Sequence, residues 1–206
     1  MKKFRVFYTA LAVLFLSLSF VSQANAQRNA RQNTRETFTG TVLSYGSGFS
    51  TRTVTTNFTL NITGQTSDAQ ANQYLSILQE GGQNRALDAI RNQDLGRFSV
   101  GANVGVPINV VRESVVDGKR RIFIVFQRWT QFAELRGGYR SLDYPFGVIE
   151  MYIDERTGKG EGTYIAADRI RWNRDDKTNQ YQVEIENFAT YPARLLSVRQ
   201  RDWMKP

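Results

Sequence analysis

The chain has 206 residues, with 27 Lys and Arg against 19 Asp and Glu, four Pro, and neither His nor Cys. That is one domain's worth of polypeptide, long enough to bury roughly 70% of its unfolded surface without a structural metal or disulfide. The lack of His and Cys excludes His-based triads, thiolate nucleophiles and ordinary zinc or copper sites, and no cofactor is implied.

Residues 1–26 open with Lys2, Lys3 and Arg5, run through an apolar stretch over 11–21 and end on Ala24-Asn25-Ala26. A basic start, a short apolar run and small residues before a cut predict a secretory signal peptide. The run is about half of the roughly 20 residues a membrane span needs. Export to the periplasm or the medium follows as the expectation. Removing these residues leaves 24 basic and 19 acidic side chains, net +5. Spread over a whole domain, that charge makes no nucleic-acid stripe. Residues 27–36 hold three Arg and no apolar periodicity, which predicts a flexible leader. A single β-rich domain is expected over 37–206.

From Thr37 onward, apolar and polar residues alternate. Phe58, Leu60 and Ile62 interleave with Asn57, Thr59 and Asn61, the pattern of a half-buried strand. Further strands are predicted over 37–45, 49–63, 106–114, 121–128, 148–154, 162–167, 169–173, 181–187 and 194–200. Between them, Ser67 with Gln70 three residues later forms a capping box. Ala71, Tyr74, Leu75 and Leu78 then recur at helical spacing, and Gly81-Gly82 stops the helix. A second helix over 84–92, burying Leu87 and Ile90, completes a helical hairpin at about 67–93. A single turn is expected after Thr130, with Phe132 and Leu135 on one side and Gly137-Gly138 at its end.

Asp117-Gly118 is the two-residue hairpin signal, and the segments at 156–160 and 175–179 close two more hairpins. In the last, Ile170 and Trp172 face the same way as Tyr181, Val183 and Ile185. Arg169 and Arg171 then face Glu184 and Glu186 on a wet sheet face. The predicted fold is α+β, mainly β: an antiparallel β-barrel or sandwich with an inserted helical hairpin.

Chemistry-bearing patterns are sparse. Gly158-Lys159-Gly160-Glu161-Gly162 lacks the spacing and following helix of a phosphate loop and reads as a turn. Glu184 and Glu186 share a strand face at roughly 7 Å, the separation of a glycosidase pair, and make a carboxylate-based glycan hydrolase the alternative enzyme reading. Their Arg neighbours favour a structural role. The densest aromatic–cation cluster is 127–146, from which Trp129, Arg136, Tyr139, Arg140 and Tyr144 form the candidate ligand site. Arg beside aromatic rings can clamp an anion or stack on a flat group. The competing reading makes Trp129, Phe132 and Leu135 a plug at one end of the barrel, with the Arg stems covering apolar surface.

Five pieces occur in one order: Leu78-Gln79-Glu80-Gly81-Gly82-Gln83, Arg140-Ser141-Leu142-Asp143-Tyr144-Pro145-Phe146, Gly160-Glu161-Gly162, Glu184-Ile185-Glu186-Asn187-Phe188 and Pro192-Ala193-Arg194-Leu195. As a set the chain resembles a family of uncharacterised exported proteins of environmental bacteria, over roughly residues 55–200. The resemblance implies a shared fold and carries over no activity, cofactor or catalytic residue. The expectation is thus an exported soluble module, structural or binding a small apolar or anionic ligand or an envelope polymer, with no nucleic-acid partner. An outer-membrane β-barrel is the third reading. The charges of Arg169, Arg171, Glu184 and Glu186 on outer faces oppose it.

Overall fold

The computed structural model describes residues 35–45, 52–129, 140–174, 181–188 and 191–201. The predicted signal peptide, nearly all of the leader, the turn after Thr130, the hairpin tip at 175–179, and site residues Arg136 and Tyr139 lie outside them.

Ten strands and one helix follow in chain order: β1 (Glu36–Ser44), β2 (Val54–Ile62), α1 (Asp68–Ile90), β3 (Gly96–Val100), β4 (Val106–Pro107) and β5 (Val110–Val116). After them come β6 (Lys119–Gln127), a 3-10 turn (Arg140–Asp143), β7 (Phe146–Asp154), β8 (Lys159–Arg174), β9 (Tyr181–Asn187) and β10 (Ala193–Gln200). All strand pairs are antiparallel, in the order β4-β3-β2-β1-β10-β8-β7-β6-β5, with β9 on the extension of β8. The ladder does not close into the barrel offered as one expectation. Its two edges, β4 and β5, are consecutive in the chain and separated only by Ile108 and Asn109. Ile108 bonds toward β3, with Ile108 N–H donating to Gly96 O at 3.0 Å, while Asn109 N–H donates to Val125 O on β6 at 3.2 Å. One run of chain therefore switches partners where a barrel would pair two strands. The buried Asn109 side chain holds the switch, donating to Gln93 O at 2.7 Å and accepting from Gln127 N–H at 2.8 Å.

The curled sheet encloses one core. Phe38, Leu60, Phe98, Ile122, Ile149 and Leu195 belong to it together with Ile108 and Val111 from the two edges. Phe98 packs on Phe58, Phe126 and Tyr164 at ring separations of 5.9, 6.0 and 5.1 Å.

Local chemistry explains most elements. Ser67 accepts from Gln70 N–H at 3.2 Å, and Gln70 Oε1 accepts from Ser67 N–H at 3.0 Å, so the capping box forms. As expected, two helical segments meet at a break at Gly82, whose φ of 69° and ψ of −172° suit only glycine; they are numbered together as α1. Asp117 and Gly118 both take positive φ, 50° and 72°, as a type I′ turn requires. Arg169 lies opposite Glu186 and Arg171 opposite Glu184 across β8 and β9.

Several boundaries move. Within the run expected over 49–63, β2 starts only at Val54, and residues 52–53 lie outside it. The two strands expected over 162–167 and 169–173 are one strand, because Asp168, which breaks the apolar alternation, sits inside β8 where its register with β7 shifts. The run expected over 106–114 divides into β4 and β5 at the edge switch. β1 begins at Glu36, the last residue assigned to the leader, because that carboxylate is buried against Arg120.

Candidate functional site

The outer face of the sheet carries a second apolar surface. On β6, Ile122, Ile124 and Phe126 point to the core, whereas Phe123 and Val125 point outward. Such a strand reads as a continuous apolar run because both of its faces are covered. What covers the outer face is α1. Its stripe of Ala71, Tyr74, Leu75 and Leu78 continues past the break as Ala86 and Ile90, and Ile90 packs with Val125, Phe146 and Val148.

Helix and sheet do not mesh completely. Between them lies a cavity of about 110 Å³, open on one side and lined by residues such as Leu75, Leu78, Phe123, Phe146, Ile170 and Ile185. Strand residues of β5 to β9 contribute, so no single sequence segment encodes it. Two Arg stand at its edge. Arg121 pairs with Glu150 at 2.5 Å, and its guanidinium lies 5.7 Å from the centre of the Phe123 ring. Arg112 pairs with Asp68 and donates to Thr66 O at 2.8 Å. Both groups turn their charge toward protein partners and offer the cavity their apolar stems.

The candidate residues of the 127–146 cluster are dispersed in role. Trp129 is 77% exposed, while Tyr144 is only 3% exposed. Tyr144 donates its hydroxyl to Glu186 Oε1 at 2.9 Å and packs against Phe188 at 4.9 Å. The cation over its ring is Arg169, at 4.7 Å, a residue the sequence reading assigned to the wet face. Arg169 also pairs with Asp143 at 3.1 Å. Arg140 opens the 3-10 turn. Of the carboxylate pair, Glu186 binds Arg171 and Tyr144, and Glu184 accepts from Asn173 Nδ2 at 2.9 Å.

Buried charge escaped the sequence reading. Arg120 points into one end of the core and binds both Glu36, at 2.5 and 2.9 Å, and Glu113, at 2.9 Å through Nε. Gln200 and Gln65 donate to these carboxylates at 3.1 and 2.7 Å. Burial works against the Arg120 charge, but its two carboxylate partners outweigh burial and raise its pKa above the ordinary value. Asp168 is fully buried, and neither of its carboxyl oxygens has a hydrogen-bond partner among the described residues. Burial alone pushes its pKa to about 8. Nearby Tyr164 rises to about 12, through burial first and the Asp168 charge second, with Arg128 acting in the opposite sense. The only available signal was an Asp inside a β-branched and aromatic run.

Among the described residues no group of three or more acidic ligands is placed to hold a metal ion, and no helix is long and apolar enough to cross a membrane. Compared with protein-family models, curated proteins and solved structures, the chain matches none.

Proposed function

We propose that this chain is an exported, sandwich-like β module that binds a small apolar ligand between α1 and the outer face of the sheet. The observation that carries the reading is the cavity itself: about 110 Å³, walled by Leu, Ile, Val and Phe side chains, and open on one side. Apolar cavities of about 150 Å³ stay dry and accept a single aromatic ring. A ring of that kind, or a short alkyl chain, is the ligand class that fits. Inside the sheet, the packed cluster of Phe38, Phe98, Ile122 and Leu195 favours this outer site over a lipocalin-like one. Export rests on the tripartite pattern of residues 1–26.

The structural reading of Glu184 and Glu186 is favoured over the hydrolytic one, since each already accepts hydrogen bonds from neighbouring side chains. An outer-membrane barrel needs a closed ladder, and this sheet ends at β4 and β5.

The test is thermal unfolding with benzene, indole and short alcohols. A ligand present at 100 times its dissociation constant adds about 2.7 kcal/mol, so the unfolding temperature should climb with ligand concentration. Ala86→Leu, which grows a side chain into the cavity, should abolish the shift while the protein stays folded. Absence of any shift with all probes, or an undiminished shift in the Ala86→Leu protein, contradicts the reading.

A further inference from the structure

Strand directions define two ends of the sheet. β1, β3 and β6 finish at one end, and β2, β4, β7 and β10 begin there. Six large apolar side chains are exposed among the described residues, and five of them, Tyr45, Val54, Val104, Trp129 and Tyr191, lie at this end. They belong to four separate chain connections. Tyr45 and Tyr191 meet edge to face at 6.4 Å, and Val54 pairs with Ser44 beside them. Val104 is 83% exposed, and Trp129 and Tyr191 are each 77% exposed. Core packing does not require any of them there. The opposite end carries only Val115.

Among the described residues, the charge at this end is basic. Arg52 and Arg128 stand on these connections; Arg52 is exposed, while Arg128 donates to Tyr144 O at 2.7 Å and to Trp129 O at 3.3 Å. The one described acid of the connections, Asp143, is paired with Arg169. Tip-borne Trp, Tyr and Val with nearby Arg match the interface of a bilayer. Amphipathic rings settle there at headgroup level and anionic lipids attract basic side chains. We infer that this end of the sheet docks on an anionic lipid surface, the tips of Trp129 and Tyr191 entering the headgroup layer. The surface lies apart from the apolar cavity and is tested separately from it.

The experiment is sedimentation of the full chain with vesicles of phosphatidylethanolamine and phosphatidylglycerol, against vesicles of phosphatidylcholine. Wild type and variants share residues 1–26, so their comparison cancels any lipid affinity of that apolar run. The joint substitution Trp129→Ser with Tyr191→Ser should weaken binding to the anionic vesicles by about tenfold or more. Arg52→Gln should weaken it by about fivefold. Val115→Ser should leave it unchanged. All four sites are exposed, so unchanged circular dichroism is expected throughout.

Equal binding by the double variant, an equal loss with Val115→Ser, or an equal loss by the double variant on the neutral vesicles overturns the inference. A wild-type chain that ignores vesicles, but is retained on an acidic polysaccharide through Trp129 and Tyr191, also overturns it and reassigns the surface to a glycan.

Discussion

At one end of the sheet, Asp117-Gly118 and the turn at 155–158 reverse the chain with polar residues, and Arg120 seals the core with two carboxylates. At the other end, the connections carry exposed Tyr, Trp and Val, and the buried group beneath is Asp168, whose carboxyl oxygens have no hydrogen-bond partner among the described residues. Local rules account for the first end. Positive φ suits Asp and Gly, the Asp154 side chain accepts from Arg156 N–H at 2.8 Å, and Gly158 N–H donates to Asp154 O at 2.9 Å. Among the described residues, local rules do not account for the exposed rings and Val side chains of the second.

The largest expected effect falls at the polar end. Arg120→Met leaves Glu36 and Glu113 buried without their cation and should cost about 3–5 kcal/mol, read from the urea midpoint. A cost below 1 kcal/mol would mean that the network does not seal that end.

Next comes Asp168, at the aromatic end. Its folded pKa of about 8 lies well above the ordinary carboxylate value of about 4, so the folded chain holds the proton more tightly than the unfolded chain does. Stability from this group is complete below about pH 4, falls as pH rises toward 8, and is flat beyond. Asp168→Asn should remove that decline, worth a few kcal/mol, when unfolding is followed across this window. An unchanged slope would place the charge elsewhere.

Smaller effects sharpen the contrast. Gly118→Val forces a branched side chain into positive φ and should cost about 1–2 kcal/mol. Ser67→Ala removes half of the capping box and should cost about 1 kcal/mol. At the other end, Tyr191→Ser should move stability by no more than about 0.5 kcal/mol, because the ring is exposed. A loss as large as that of Gly118→Val would show the aromatic tips to be structural.

What was legible in the sequence follows the same division. The capping box at Ser67, the type I′ turn at Asp117-Gly118 and the Arg–Glu register of β8 and β9 are short-range patterns, and each forms. β3 escaped because Gly96–Val100 offers a single fully buried side chain, Phe98, too little for a period-2 signal. Glu36 and Asp168 escaped because a charged residue reads as an exposed break unless its burial is known. The cavity escaped because its wall is assembled from α1 and five strands, and no window of sequence holds it. The aromatic cluster at 127–146 was visible, but its members divide between an exposed Trp129 and a buried Tyr144.

The proposal that α1 and the sheet form an apolar ligand site is tested most directly by crystals held under xenon pressure. Xenon enters apolar cavities of this size and scatters strongly. A xenon peak between Leu78 and Ile170, lost in Ala86→Leu crystals, is the predicted result. Side chains closing that space with no xenon between them would contradict it.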